Sequence, residues 1–311
     1  MKLNKKILHA SLAAALACGV SAIGGQTAQA DDFDVRSTRA VDTADVNEYW
    51  TAERMQNAES ADALVEGKTG SSDVEIGTRH SRAGEAPDPQ LNATPQSPQN
   101  TIGKVFFTLN GEDWVCSGNS IQSDNGSVVS TAGHCVNEGP GEFATNWIFV
   151  PAYENGHAPY GQWSAEKLYT ASDWAEYGDI TFDVGFAVMA PNDQGDRLAD
   201  VVGATGWEFN APRGQSYDAL GYPAEIPFDG ETLHSCSGTA TDDPRHPGAT
   251  QGIPCDMTGG SSGGPWFLSG TEKQNSVNSY GYPGMETMFG PYWGDTAYEI
   301  YSEANGSGSA W

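Results

Sequence analysis

Basic charge is what this 311-residue chain has least of: 15 Lys+Arg stand against 41 Asp+Glu, a net charge of −26. Phosphate contacts need clustered Lys and Arg, so a nucleic-acid partner is excluded, and so is docking on an anionic membrane surface. Cysteine is scarce, with five residues in all. His157, His234 and His246 lack metal-ligand spacing with Cys or carboxylates, and Asp242-Asp243 has no full calcium-loop pattern around it. No metal and no cofactor is therefore expected. There is no internal repeat of 20–50 residues, and no long apolar run follows residue 30 that could form a second membrane span. At 38% the hydrophobic fraction is low, yet 9 Trp, 12 Tyr and 11 Phe are too much aromatic surface for a wholly disordered chain. The 38 glycines and short apolar runs argue against a helical bundle.

What is present begins with a leader. Lys2, Lys5 and Lys6 precede an uncharged stretch from Ile7 to Ala30, which closes on Ala28-Gln29-Ala30 and is followed by Asp31-Asp32. That order of charge, apolar run and small-x-small site is a secretory signal peptide over 1–30. The chain is expected to be exported, with no stable membrane insertion once the signal is cut. A lipid-bearing Cys18 is the alternative, but Ala15-Leu16-Ala17 matches that motif poorly. Removing Cys18 leaves Cys116, Cys135, Cys236 and Cys255, an even number that in an exported chain implies two disulfides. Three pairings are open, and local pairing, Cys116–Cys135 and Cys236–Cys255, is the economical one.

Residues 31–100 differ from the rest. Val46, Tyr49 and Trp50 at i, i+3 and i+4 predict a helix around 43–58 with Thr43 as a possible cap. A stretch rich in Pro, Gln, Ser and Asn, from Ala86-Pro87-Asp88-Pro89 through Pro95 and Pro98 to Asn100, reads as a linker. The segment is either a spacer or, as favoured here, a pro-segment removed after export, cut near Arg79 or Arg82 or within the linker. From 101 to 311 the pattern is β. Val105–Leu109 runs into Asn110-Gly111, a hairpin signal. Trp114-Val115-Cys116, Val128-Val129, Trp147–Val150, Val184–Met189 and Trp266–Leu268 follow as short apolar runs punctuated by Gly, Pro and Asn, which predicts a sandwich or barrel. Ala297, Ile300 and Tyr301 predict a C-terminal helix capped by Asp295 or Thr296.

Three stretches carry chemistry. Thr131-Ala132-Gly133-His134-Cys135 places a histidine after an apolar strand and beside a disulfide candidate, where a general base can be held fixed. Gly259-Gly260-Ser261-Ser262-Gly263-Gly264-Pro265 surrounds serine with glycines, so that N–H groups of Gly260 and Ser262 can converge into an oxyanion hole. Asp183 opens the apolar run Val184–Met189 and could orient His134, with Asp179 as a rival four residues earlier.

Together these stretches resemble the chymotrypsin family of serine peptidases, whose order along the chain is His, Asp, Ser. The resemblance covers about 101–305. It is nearest to a secreted bacterial branch that includes glutamyl endopeptidases, through Thr258-Gly259-Gly260-Ser261-Ser262, Gly221-Tyr222-Pro223 and Asp183-x-Gly185. It implies an all-β fold of two six-stranded antiparallel barrels with the site between them, then a C-terminal α-helix. It implies Ser262 as nucleophile, His134 as base, Asp183 as orienter, and Gly260 and Ser262 N–H as the oxyanion hole. Ser279-Tyr280-Gly281 would pair with extended substrate backbone. The Tyr49-Trp50-Thr51 run resembles pro-segments of such enzymes, and Cys116-Ser117-Gly118 supports the Cys116–Cys135 bond. The expected activity is a secreted serine endopeptidase made as a precursor, a monomer acting on protein or peptide substrates.

Departures from the pattern matter as much. Ser261 stands where trypsin-like enzymes carry an Asp that pairs with a freed N-terminus, and Ile102 lies only 14 positions before Cys116, too short for that insertion. Asp256 lies six residues before Ser262, the spacing of a specificity carboxylate for Arg or Lys, but Cys255 disturbs the alignment. Val277-Asn278-Ser279-Tyr280 lacks the histidine that a glutamate preference usually needs. A non-catalytic binding protein on the same scaffold, or an esterase-like hydrolase, is the alternative. From 101 onward 27 acidic and 6 basic residues give −21, a surface that favours solubility and cationic substrates.

Overall fold

Asn110 and Gly111 both take left-handed backbone, at φ 55° and 84°, and so close a two-residue hairpin on which the first sheet is built. In the computed structural model of the chain the described residues are 35–39, 43–65, 67–68 and 92–306. The signal segment, Cys18, Arg79, Arg82 and the linker up to 91 lie outside them. Among the described residues the chain opens with β1 (Val35–Arg39), α1 (Thr43–Tyr49), α2 (Ala52–Asn57), β2 (Glu59–Ser60) and a 3₁₀ turn at Ala61–Leu64. The single helix expected over 43–58 is two. Trp50 is buried and donates its indole N–H to the Asn146 carbonyl, and the Thr51 side chain caps α2 by accepting the Arg54 N–H. The apolar face is as expected, with Val46 and Trp50 packed in one cluster with Ile102, Phe106 and Ile148.

After β3 (Thr94–Pro95) come the six strands of a closed antiparallel barrel: β4 (Ile102–Leu109), β5 (Glu112–Ile121), β6 (Val128–Thr131), β7 (Thr145–Pro151), β8 (Trp163–Ala171) and β9 (Gly185–Met189). They lie in the order β8-β7-β4-β5-β6-β9, and β8 pairs with β9 to close the ring. α3 (Ser172–Tyr177) joins β8 to β9, and α4 (Leu198–Val202) follows β9. The N-terminal residues are built onto this barrel: β1 runs antiparallel along β8 from Val35↔Ala171 to Arg39↔Lys167, and β2 lies parallel to β5 at Trp114–Val115.

The second half holds β10 (Gly206–Trp207), β11 (Ser216–Gly221), β12 (His234–Thr239), β13 (Thr241–Asp242), β14 (Thr250–Pro254), β15 (Pro265–Leu268), β16 (Lys273–Val277) and β17 (Thr287–Pro291). One sheet runs β10-β16-β15-β11-β12-β3 and a second β13-β14-β17. The second half is therefore not the single closed six-stranded barrel expected: its eight strands and β3 are divided between two sheets, antiparallel except where β10 runs parallel to β16, because the ladder breaks between β12 and β13. Disulfides join Cys116 to Cys135 and Cys236 to Cys255, the local pairing. The C-terminal α5 (Asp295–Gly306) is where expected, but Asp295 is its first helical residue and accepts from Asn210, while Gly294, whose carbonyl takes the Tyr298 N–H, holds the cap position. Ala297, Ile300, Tyr301 and Ala304 are buried against the first barrel's core. This is the all-β class expected, with a closed six-stranded barrel and a terminal helix. No described helix is long and apolar enough to cross a membrane.

Ile102 is fully buried within β4, so it anchors a strand and cannot supply a free terminus. Two positions along, Lys104 is a cation only 3% exposed, 3.7 Å from Glu231 and 4.5 Å from the Tyr153 ring centre. Burial pushes its pKa down to about 8, and Glu231 only partly offsets this. The unfolded chain holds that proton more tightly, so the penalty is full below pH 8 and disappears as pH rises through about 10.4. Lys104→Met is expected to raise unfolding free energy at pH 7 by about 1–3 kcal/mol and to flatten the gain in stability between pH 8 and 10. Denaturant titrations at both pH values check this, and a destabilised variant at pH 7 would mean that the Glu231 contact outweighs desolvation.

Candidate active site

His134 sits in a 3₁₀ turn, Gly133–Cys135, directly after β6, and the Cys116–Cys135 disulfide ties that turn to β5. Its ring and the Asp183 carboxyl are fully buried. Asp183 Oδ2 lies 2.8 Å from His134 Nδ1, and Oδ1 accepts the His134 backbone N–H at 2.7 Å. Ser279 Oγ adds a third hydrogen bond, donating to Oδ2 at 2.5 Å. Gly133 makes this approach possible, because a Cβ there would lie 2.9 Å from Asp183 Oδ1. Burial works to lower the imidazole pKa, but the Asp183 charge and hydrogen bond outweigh it and leave the ring's pKa raised. Asp179, the rival, does a different job: it caps the turn Ile180–Phe182 by accepting the Thr181 N–H.

Ser262 is 1% exposed in the turn before β15. Ser117 of β5 donates its N–H to the Ser262 carbonyl at 2.7 Å, and the Ser117 hydroxyl donates to the Gly260 carbonyl at 3.0 Å. Both contacts turn carbonyl oxygens away from the front of the serine. Gly263 has φ +81°, and a Cβ on it would fall 2.1 Å from Thr131 Oγ1, so only glycine fits between Ser262 and the first barrel. Ser261 Oγ is spent on the Thr258 carbonyl at 2.8 Å, which leaves Ser262 as the serine facing the cleft.

The hydroxyl at 262 does not meet the imidazole. Ser262 Oγ donates to Asp62 Oδ1 at 2.7 Å and lies 3.4 Å from the Ser279 carbonyl, while His134 Nε2 has no hydrogen-bond partner. Asp62 comes from the N-terminal segment. The Gly260 N–H also points at its carboxylate, so one of the expected oxyanion donors is already aimed at an anion. Loss of water raises the Asp62 carboxyl's pKa, and the charge on His134 and the Ser262 hydrogen bond offset this only in part. Ala61-Asp62-Ala63 in the sequence carries no motif, and nothing in the primary pattern pointed to Asp62.

A cavity of about 720 Å³ lies beside Ser262 between 255–259 and 280–288. Glu225, Asp256 and Glu286 line it with Met257, Tyr280, Tyr282 and Met288, and among the described residues its lining holds no Lys, Arg or His. Asp256 is therefore at the cavity, as its spacing suggested, but its two oxygens accept the Asn92 and Ala93 N–H groups at 2.7 Å each. Of the segment 279–281, Ser279 and Tyr280 sit next to β17, with both N–H groups directed to the Phe289 carbonyl. Asp243, read in sequence only as part of an acidic pair, holds the cavity wall. Its buried carboxylate accepts from Tyr280 and Tyr282 hydroxyls at 2.5 and 2.8 Å and from Thr250 at 3.1 Å. Burial and the bond to Asp243 raise the pKa values of both phenols.

Among the described residues, His134 falls with Cys116 and Cys135 in a grouping whose ligand atoms lie within 4.8 Å of one another. It does not fit a metal ion, since the two sulfurs are bonded to each other and the imidazole Nδ1 faces Asp183.

No family model matches the chain. Among solved structures it resembles the protease Anisep from Arthrobacter nicotinovorans, with 58% identity and a TM-score of 0.67 over 69% of this chain and 100% of that one. It also resembles the thermostable serine protease AL20 from an extremophilic microorganism, at 51% identity and a TM-score of 0.65 over 67% of this chain and 98% of that one. A Glu endopeptidase shares the fold at 19% identity and a TM-score of 0.56, over 70% of this chain and 98% of its own. A curated relative, the extracellular metalloprotease of Bacillus subtilis (strain 168), is 29% identical over 107 residues, a third of this chain, and the match spans about a third of that relative's length.

Proposed function

The chain belongs to the chymotrypsin-like serine proteases, and from that premise we propose that it is the precursor of a secreted serine endopeptidase working through Ser262, His134 and Asp183. The observation that carries this reading is the fully buried Asp183–His134 pair, 2.8 Å apart, next to a serine whose neighbour Gly260 directs its N–H into the same space. Once the N-terminal segment leaves, Ser262 Oγ gives its proton to His134 Nε2 and attacks a substrate carbonyl. The Gly260 and Ser262 N–H groups hold the oxyanion, worth about 10²–10³ in rate for each donor. His134 returns the proton to the leaving amine, and water then releases the acyl group by the same route. Asp183 keeps the proton of the neutral ring on Nδ1 and stabilises the imidazolium. The extended substrate lies along Ser279-Tyr280-Gly281, and its side chain enters the cavity held open by Tyr280 and Tyr282. Glu225, Asp256 and Glu286 in the lining, with no Lys, Arg or His among its described residues, disfavour an acidic substrate side chain there.

The precursor reading has separate support. The two closely similar proteases match over nearly their full length, yet about a third of this chain has no counterpart in them. Residues 31–100 are the proposed pro-segment and linker, 101–311 the peptidase domain and 1–30 the export signal. The test is a fluorophosphonate probe, which reacts with activated serines. Processed enzyme is expected to label at Ser262, and a His134→Ala variant not to label. Labelling that survives in His134→Ala, or that maps to another serine, would overturn the assignment.

A further inference from the structure

The N-terminal segment does not simply cover the cleft; its path through it has a direction. Glu59–Ser60 pairs parallel with Trp114–Val115 of β5. The chain then turns through Ala61–Leu64, where Ser60 Oγ accepts the Asp62 N–H at 3.2 Å. Ala61 is fully buried and Val65 is 4% exposed. Asp62, Val65 and Gly67 line the cavity beside 280–288, and the Lys68 ammonium lies 5.0 Å from the Trp174 ring centre. Gly259 leaves space for this path, since a Cβ there would lie 2.0 Å from Ser60 Oγ. Chain before Asp62 thus lies on β5, and chain after it, as far as Gly67, lies along the cavity beside 280–288 before Lys68 reaches Trp174 and the Glu138 carbonyl.

A substrate must run the other way. This step rests on the proposed function, in which the acyl half lies along 279–281; the leaving half must then depart on the other side of Ser262, where β5 approaches the nucleophile turn through the Ser117 N–H on the Ser262 carbonyl. We propose that the cleft is a binding site for an acidic peptide held in reverse, that residues 59–65 occupy it with the Asp62 carboxylate in place of the oxyanion, and that the same peptide inhibits the processed enzyme from outside. Ser262 then faces a side-chain carboxylate in place of a peptide carbonyl. The anion spreads its charge over two oxygens and is a poor electrophile, so the occupant is held and not cut. Its hydrogen bond also takes the Ser262 proton away from His134 Nε2.

Two measurements test this. In the full chain, the rate of fluorophosphonate labelling is read on the uncut band. Asp62→Ala is expected to label at least 10-fold faster than wild type, while the processed bands, which have lost the segment, label alike. Equal rates on the uncut bands with normal labelling of the processed ones would overturn the proposal and leave the function intact; absence of label on processed enzyme would sink the function itself. The second probe is the synthetic peptide Glu-Ser-Ala-Asp-Ala-Leu-Val (residues 59–65) added to processed enzyme. It is expected to compete with substrate, to stay intact on prolonged incubation and to weaken at least 10-fold when its Asp is replaced by Ala. Cleavage of the peptide, or inhibition indifferent to that Asp, would overturn reverse binding.

Discussion

Ser262→Ala is expected to lower kcat/KM for peptide bonds by about 10⁶-fold in chains cut to the same N-terminus, because removing the nucleophile removes the acyl-enzyme route as a whole. The substitution deletes only Oγ, whose partners are Asp62 and the Ser279 carbonyl, so within the folded domain only the long 3.4 Å contact to Ser279 is lost. Ser261→Ala is the control that gives the number its meaning. Its hydroxyl ties down the Thr258 carbonyl at the back of the turn. Losing that bond should cost no more than about 1 kcal/mol of local stability and a small factor in rate. Turnover of a peptide amide with active-site titration separates the two, and near-normal turnover by Ser262→Ala would end the triad assignment.

That two adjacent serines can be told apart illustrates what the primary pattern carries. The glycines around them were readable because the turn tolerates no side chain: Gly263 would strike Thr131 and Ser117, and Gly264 would strike the Leu220 carbonyl at 2.0 Å. The Asn110-Gly111 hairpin and the helix from Asp295 were readable for the same kind of local reason, left-handed φ in one and an amphipathic face in the other. Strands β8, β12 and β16 were not. Lys167 and Glu166 interrupt β8 at a bulge, and β16 buries Gln274, Asn275 and Ser276. The burial of those polar groups is compensated by partners far away in sequence, such as Asn119 to Gln274 and Tyr217 to Asn275. Alternation of apolar and polar residues cannot report a strand whose polar groups face other polar groups inside the protein.

The same limit explains the site. His134, Asp183 and Ser262 each stand in a local pattern that chemistry constrains. Asp62 and Asp243 do not, because their role depends only on what the folded chain brings to them. Asp62 gains its meaning from Ser262, 200 positions away, and Asp243 from Tyr280 and Tyr282. Asp256 shows the converse. Its spacing reached the cavity, while its carboxylate is held by the N–H groups of Asn92 and Ala93, a contact that no motif encodes.

Asp183→Asn is the second large effect expected, a fall of about 10⁴-fold in kcat with little change in fold. The carboxylate accepts three hydrogen bonds, from the His134 backbone, the His134 ring and Ser279 Oγ. An amide of the same shape must turn its NH₂ toward one of these donors. If it faces the ring, the imidazole accepts at Nδ1, its proton moves to Nε2, and His134 can no longer take the proton of Ser262. The pH profile should shift as well, and the sign follows from the causes. Burial alone lowers the ring's pKa, and the Asp183 charge and hydrogen bond, joined in the uncut chain by a smaller contribution from the Asp62 charge, hold it above its usual value. In wild type, activity is lost as pH falls through that raised pKa, since a protonated ring is no base. Without the charge the ring protonates only at lower pH, so the acid limb of the residual activity moves down. Asp179→Asn, four residues away, should keep near-wild-type kcat and the original limb, because Asp179 only caps the turn at Ile180–Phe182. A rate loss confined to a few-fold in Asp183→Asn, or an acid limb that stays in place, would show that the carboxylate neither sets the tautomer nor holds the charge of the base.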